Sequence, residues 1–460
     1  MIMSHDYDYI IPKFFEFADT IITDKIIYAK NKYLDIIKKL KDNEININNI
    51  TNLNQLVEKN KNGKIIYVEK FDDGQKKLIE NSFFEVIRIL IENGIEININ
   101  DNYLLKCAVF NGFLSIVIYL TESGANIHAN NDEALIISSA HNHLDIVKYL
   151  VESGANVDAN NNKALIKSSQ YGYIDIVKYL IENGANIHAD NNEALIKAAT
   201  YGRIDVVKYL VKSGANIHAN NNAALINSCI YGYTKVVKYL VNNGVDIHFD
   251  NDRALRSSSF QGHLKIVKFL LKSGANIHAD NDQALLNSCM KGHLKITKYL
   301  IKNGADIHAN NNQALLNSCI TGHKEIVLLL IENGANIHAN NNQALINSCI
   351  GGYLEIVRYL LENGADIHAN NDQALLYSCT YGRIKVVQYL VESGADIHAN
   401  NNQALIDSCT NGYLEIVKYL VENGANIYTN DKEAFKCSHK HGQLKIVKYL
   451  EMIEAEDKIE

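Results

Sequence analysis

The sequence predicts an all-α solenoid of helix-turn-helix units stacked into a curved rod, and three observations carry that expectation. The stretch IENGANIHANNNQAL at 331–345 returns thirty residues earlier as IKNGADIHANNNQAL and thirty later as LENGADIHANNDQAL. Glycine keeps the same ruler. One series runs Gly94, Gly124, Gly154 and on to Gly424 without a gap; a second runs Gly112, Gly172, Gly202 and on to Gly442, broken only by Asn142. Only Gly63, Gly74 and Gly351 fall outside the two series. A period of 30 over residues 100–459 gives twelve modules, and internal repeats of this length mark a solenoid. Inside each module the apolar residues recur at spacings of three and four, as on a helix face.

The module at 280–309, DNDQALLNSCMKGHLKITKYLIKNGADIHA, shows each element in turn. Asn281 or Asp282 is placed to cap a helix, its side chain accepting from an amide one turn on. Ala284 to Met290 form a short first helix, which Gly292 ends with a left-handed turn. Leu294 to Ile301 form the second helix, with Leu294, Thr297, Tyr299, Leu300 and Ile301 as its mainly apolar face. Asn303-Gly304 stops it, because glycine reaches positive φ without a Cβ penalty. The loop Ala305 to Asn310 then leads into the next copy. Two helices this short cannot shield their own apolar faces, so the copies must stack. The small pair Ser288-Cys289 lets helices of adjacent modules approach closely.

These residues resemble the ankyrin repeat. The resemblance rests on GHLKIVKFL at 262–270, followed by SGANIHA at 273–279, with Ala284-Leu285 where that family carries the Pro-Leu of its T-P-L-H signature. It recurs in every copy over residues 100–459. The family period is about 33 residues; here three are missing between Ala279 and Gln283, and the signature threonine and proline are absent. The resemblance therefore implies an ankyrin solenoid with shortened fingers. The Asn- and Ile-heavy style, which fits AT-rich codons, resembles the expanded ankyrin proteins of giant DNA viruses of amoebae.

The ends are less regular. Residues 1–99 read as an N-terminal cap with degenerate ankyrin-like units, because terminal units of a solenoid turn a polar face outward. NKYLDIIKKL at 31–40 resembles a second helix, 41–69 an inserted loop, and 70–99 a degraded module. The rival reading makes 1–99 a separate adaptor domain that recruits a ubiquitin-ligase component while the repeats hold a substrate. The last repeat merges with a charged tail at 451–460.

Composition bounds the function. Apolar residues are 47% and charged ones 21%, a globular balance, and a net charge of -7 argues against a nucleic-acid partner. No secretory signal is expected from MIMSHDYDYIIPKFFEFADT, and no apolar run approaches the roughly 18 residues of a membrane span. Cys229, Cys289, Cys319, Cys349, Cys379 and Cys409 share one column. Stacked helices lie about 8–10 Å apart, beyond the roughly 7 Å Cα separation of a disulfide, so reduced thiols and a cytoplasmic location are expected.

The histidine column (His128, His188, His218, His248, His278, His308, His338, His368 and His398) fails as a metal site for the same reason, and each imidazole is expected to bond its own loop. Cys437, His439 and His441 lack a fourth zinc ligand. No P-loop, G-x-S-x-G or HExxH occurs. The expectation is therefore no enzyme, no cofactor and no metal.

What varies between copies carries the specificity. One column holds Ile137, Lys167, Lys197, Ser257, Asn287, Tyr377 and Asp407; the next Ala140, Gln170, Ile230, Phe260, Met290 and Ile320; the third His141, Tyr171, Tyr201, Tyr231, Gln261, Lys291 and Tyr381. By resemblance, the second and third columns end the first helix on the concave side, where ankyrin proteins touch partners. Tyr171, Tyr201, Tyr231, Phe260, Met290, Lys291, Tyr377 and Tyr381 are the candidate partner-binding residues, since aromatic groups give large contact area with few rotors.

Between Arg203 and Lys302 there is no glutamate, and Lys235, Lys238, Lys265, Lys268, Lys272, Lys295, Lys298 and Lys302 form a basic belt. It attracts an acidic partner or, as a lesser alternative, RNA or a membrane surface, or else it is a solvated convex face. The expected function is a monomeric protein-protein interaction scaffold, in the viral reading acting on a host factor in host cytoplasm.

Overall fold

In the computed structural model of the chain, the described residues are 97–456, residues 80, 81, 84, 87, 88 and 91, and the backbone of 57–59 and 65–67. Val57–Lys59 and Ile65–Tyr67 pair as an antiparallel hairpin with Glu58 opposite Ile66. Both strands lie within the insertion expected over 41–69; Val57, Ile65, Ile66 and Tyr67 are residue types that favour strands. The rest of the cap proposed for 1–99 lies outside the described residues, apart from helical positions 80, 81, 84, 87, 88 and 91. There Ile87 is buried, and Glu80 accepts from the Ser115 hydroxyl at 2.6 Å.

From Ile99 to Glu456 the described chain is a succession of helix pairs, first Ile99–Asn111 with Leu114–Glu122, last Thr429–Lys440 with Leu444–Glu456. The chain divides into two compact units, 1–220 and 221–460. In the first unit the helix Ala159–Tyr171 packs on Ala189–Thr200, and each packs on its own second helix, Ile174–Glu182 or Ile204–Lys212. In the second unit Ala309–Thr321 packs on Ala339–Gly351 in the same manner. This is a helical-repeat solenoid, as the period requires.

Each second helix buries three residues at helical spacing, such as Ile296, Thr297 and Leu300, or Ile326, Val327 and Leu330. That corrects the predicted face. Ile296 belongs to the core, whereas Leu294, Tyr299 and Ile301 are only half-buried. The first helix buries Ala284, Leu285, Leu286, Ser288 and Cys289. Ser288 turns its hydroxyl back to the Leu285 carbonyl (2.9 Å) and bonds Thr297 (2.9 Å). The next column is less tidy. Ser139, Ser169 and Ser259 bury hydroxyls with no partner among the described residues, where other modules place cysteine or Ala199.

The shortened finger is a single left-handed turn. Asn310, Asn311 and Asn312 have φ of 51°, 57° and 63°, and Asp280, Asn281 and Asp282 repeat the pattern at 54°, 54° and 58°. Left-handed backbone costs most L-residues about 1–2 kcal/mol each, and Asn and Asp are the ordinary exceptions. The asparagine tracts exist because three such residues stand in a row.

The third member is buried, and its side chain does not cap its own helix as the sequence implied. Asn312 Oδ1 instead accepts the backbone N–H of Asn336 at 2.7 Å, tying the turn that opens a module to the loop that closes it. Asp282 takes the Asp306 N–H at 2.8 Å, and in the first unit Asn162 takes that of Asn186 at 2.7 Å. The loop then passes the bond on. Asn336 Oδ1 accepts from His338 N–H at 2.9 Å, and the His338 imidazole donates to Asn342 Oδ1 at 3.1 Å. The imidazoles thus do bond the adjacent turn.

Two tests follow from this packing. Asn342→Ala puts alanine in a left-handed turn and strands the Asp366 amide, so it is expected to destabilise by about 2–4 kcal/mol. Denaturant titration reads the loss, and amide exchange at Asp366 should quicken; Asn341→Ala, at an exposed site, costs less. Ser259→Ala removes an unpartnered buried hydroxyl and is expected to stabilise by about 1 kcal/mol, read as a higher denaturation midpoint.

Candidate partner-binding face

A second set of side chains orders the ends of the first helices. His263 Nε2–H donates to the Ile230 carbonyl (2.9 Å), His293 to Phe260 (3.0 Å) and His323 to Met290 (3.2 Å); Arg383 does the same for Ile350 (2.9 Å). Each reaches a helix-end carbonyl of the preceding module, a group the helix itself leaves unbonded. The turn glycine makes room. Gly262 has φ 85°, and a Cβ there would stand 2.7 Å from the His293 ring. At Asn142, the one break in that glycine series, φ is 63°, a conformation asparagine tolerates.

Pinned in this way, the column just before the turn faces outward, whereas Ile137 in the first variable column is buried. Tyr171, Tyr201, Tyr231 and Tyr381 are 40, 43, 58 and 47% exposed. Met290 and Ile320 are exposed beside them, as is Lys291. Phe260 and Tyr377 are half-buried and already engaged. The Lys291 ammonium lies 4.4 Å from the Phe260 ring centroid, while Tyr377 accepts from Gln373 Nε2 (3.2 Å) and packs 6.3 Å from Tyr381.

Between the modules of Phe260 and Asn287 lies a cleft of about 380 Å³ lined by Asp250, Arg253, Arg256, Ser257 and Phe260. Arg256 stands where other copies bury Ile226 or Leu286. Its guanidinium donates to the carbonyls of Asp250 (2.6 Å) and Asn251 (2.9 Å) and to Asp280 (2.8 Å), clamping two left-handed turns. Sequence reasoning missed this cleft. Its signal was a cation in a column that is aliphatic from Ile136 to Ile406 apart from Arg256.

The eight belt lysines are all exposed on second helices, and none forms an ion pair among the described residues. Lys238 and Lys268 lie 5.6 and 5.2 Å over the rings of Phe269 and Tyr299 in the following module. Outside the belt some lysines of the same face are paired, as in Lys178–Asp175 (3.9 Å), Lys324–Glu355 (3.2 Å) and Lys418–Glu415 (3.4 Å).

Cys437, His439 and His441 do not converge. His441 bonds the Cys437 carbonyl (2.9 Å), and His439 packs on Phe435 (4.8 Å). Among the described residues no group of three or more His, Cys, Asp or Glu is placed to hold a metal ion. No described helix is long and apolar enough to cross a membrane. All eight cysteines are free. Burial pushes the thiols of Cys289, Cys319, Cys349, Cys379 and Cys409 up to about 12, and Cys229 up as well.

The fold and its outward-facing variable columns define a class: a stacked repeat protein that presents side chains along an extended surface. A family model for ankyrin repeats in sets of three matches residues 105–191, 154–221, 195–281, 255–341 and 338–401, and a single-repeat ankyrin model matches 400–432. The chain belongs to the ankyrin-repeat family. A comparison with curated proteins found no match.

The raised thiols set a chemical expectation, because the thiolate is the reactive form. At neutral pH a thiol reagent should leave the six column cysteines unmodified in native protein and label them only on unfolding, as mass spectrometry of the labelled peptides would show. Rapid native labelling of Cys319 would contradict the packing.

Proposed function

We propose that this protein is a non-catalytic scaffold that holds a partner protein along the face formed by the ends of its first helices. By resemblance this is the concave face of an ankyrin solenoid. Ankyrin-repeat proteins are generally protein-protein interaction modules, and that supports the scaffold role. The observation that carries the placement is the row of exposed tyrosines at the turn, set on a framework whose other columns are buried or repeated. Tyrosine is costly to leave in water and well suited to a recognition surface.

The finer reading is a monomeric viral protein acting on a host factor in the host cytoplasm. The Asn- and Ile-heavy repeat style and the eight free thiols, which suit a reducing compartment, support it.

Affinity capture from host cytosol is the test, comparing wild type with a variant carrying Tyr171→Ala, Tyr201→Ala, Tyr231→Ala and Tyr381→Ala. Exposed side chains are removed, so the fold should stand, with helicity by circular dichroism unchanged. A partner held by wild type and lost by the folded variant is expected. Retention of the same partner at equal yield would move the binding surface elsewhere.

A further inference from the structure

In three successive modules of the second unit, the middle of the first helix is closed by a neutral couple four residues apart. Gln283 donates to Asn287 (2.8 Å), Gln313 to Asn317 (2.7 Å) and Gln343 to Asn347 (2.8 Å). In the first unit the helix Ala159–Tyr171 carries Lys163 and Lys167 at those two positions. Like charges at this spacing repel. Both lysines are half-buried, and neither has a hydrogen-bond or ion-pair partner among the described residues.

The next helix, Ala189–Thr200, adds Lys197 one module on from Lys167. Two carboxylates lie near. Glu193 pairs with Lys197 at 3.0 Å, and Glu133, on the helix before, is taken by Lys106 at 3.0 Å. Burial, with the charges of Lys163 and Lys197 next, holds the Lys167 ammonium below the usual lysine range. Lys197 thus has a carboxylate, while Lys163 and Lys167 stand unpaired among the described residues at half-buried positions where Gln283–Asn287, Gln313–Asn317 and Gln343–Asn347 carry no charge.

Each stripe continues to a tyrosine. Lys163, Lys167 and Tyr171 follow at intervals of four residues, as do Glu193, Lys197 and Tyr201, so each set lies on one helix face. The tyrosines are 40 and 43% exposed. An ion alone would not use these rings, whereas an extended chain crossing two helices meets both charge and aromatic surface. Its side chains on one side repeat about every 6–7 Å, comparable with the helix spacing of about 8–10 Å. A long nucleic acid would be opposed by the chain's net charge of -7.

We propose that Lys163, Lys167 and Lys197 form a docking site for an acidic segment of the partner protein, its Asp or Glu carboxylates seated among the three ammonium groups and its backbone beside Tyr171 and Tyr201. This deepens the scaffold reading and rests on it for the choice of face. The site supplies the chemistry that tyrosines alone lack: it selects for negative charge.

The test uses the full chain and a short fluorescein-labelled peptide alternating Glu and Gly, followed by fluorescence anisotropy. A peptide with Gln for Glu and an oligothymidylate of equal charge are the comparisons. The decisive variant is Lys163→Gln with Lys167→Asn, which installs the couple that Gln283 and Asn287 form in the equivalent helix of another module. It is expected to weaken the Glu peptide by about tenfold or more, since charge-assisted contacts are lost. Glu193→Gln, which frees Lys197, is expected to tighten it a few-fold. The Gln peptide should not bind.

Unchanged affinity in the Lys163→Gln/Lys167→Asn protein overturns the proposal. So does tighter binding of the oligothymidylate than of the Glu peptide, which would make the site a general polyanion patch. Failure here leaves the tyrosine face standing, because the capture experiment above reads the partner itself. Failure of the tyrosine variants with success here would keep an acidic-segment site but detach it from the partner captured.

Discussion

A buried side-chain amide or carboxylate accepting one backbone N–H is the interaction on which the rest of this fold depends. Once the finger is cut to three residues, the chain must reverse in the space of one turn, and it does so left-handed. That turn leaves the following loop with an amide to satisfy. The third Asx residue meets it, as Asn342 does for Asp366 at 2.9 Å. A buried amide left unbonded costs about 1–3 kcal/mol, so up to Asn402 the position holds residues that tolerate positive φ and also present an oxygen, and only the last module puts Lys432 there, at φ 58°. Asn and Asp are those residues. The same oxygen takes the histidine Nδ1–H, which is why histidine stands four residues before it.

Helix packing follows from that turn. The left-handed stretch returns the chain beside the previous first helix, and the small residues at Ala344, Ser348 and Cys349 let the two helices close. Cysteine serves here as a small apolar side chain, fully buried and held protonated by its surroundings. Where serine replaces it, the hydroxyl has nothing to bond. The cation at Arg256 shows how much departure the framework accepts: it replaces an aliphatic residue, opens a cleft, and yet finds three oxygens by spanning two turns.

A surface built this way separates its duties by column. Residues that bond between modules are fixed by geometry, so recognition falls to those that point outward and bond nothing. The exposed tyrosines are of this kind. So are the belt lysines, two of which cover neighbouring rings, and the half-buried Lys163 and Lys167 likewise have no bonding partner among the described residues. A cluster of cations without carboxylate partners is the feature that gives one stretch of a repetitive surface a chemical preference.

The sequence by itself determined the period, the helix pairs, the turn glycines and the column in which variation is concentrated, because these depend on spacing along one module. It also yielded the exposed tyrosines, since helical spacing places them beside the turn. Only the tertiary structure decided what the asparagines do, because a left-handed triplet and its bond across 24 residues leave no local signature distinct from a loop or a cap. The pairing of 57–59 with 65–67 and the burial of Ile296 in place of Leu294 belong there too. Which cations lack a partner is likewise a three-dimensional fact: Lys324 finds Glu355 in the next module and Lys167 finds only other lysines, and no spacing within a module tells them apart.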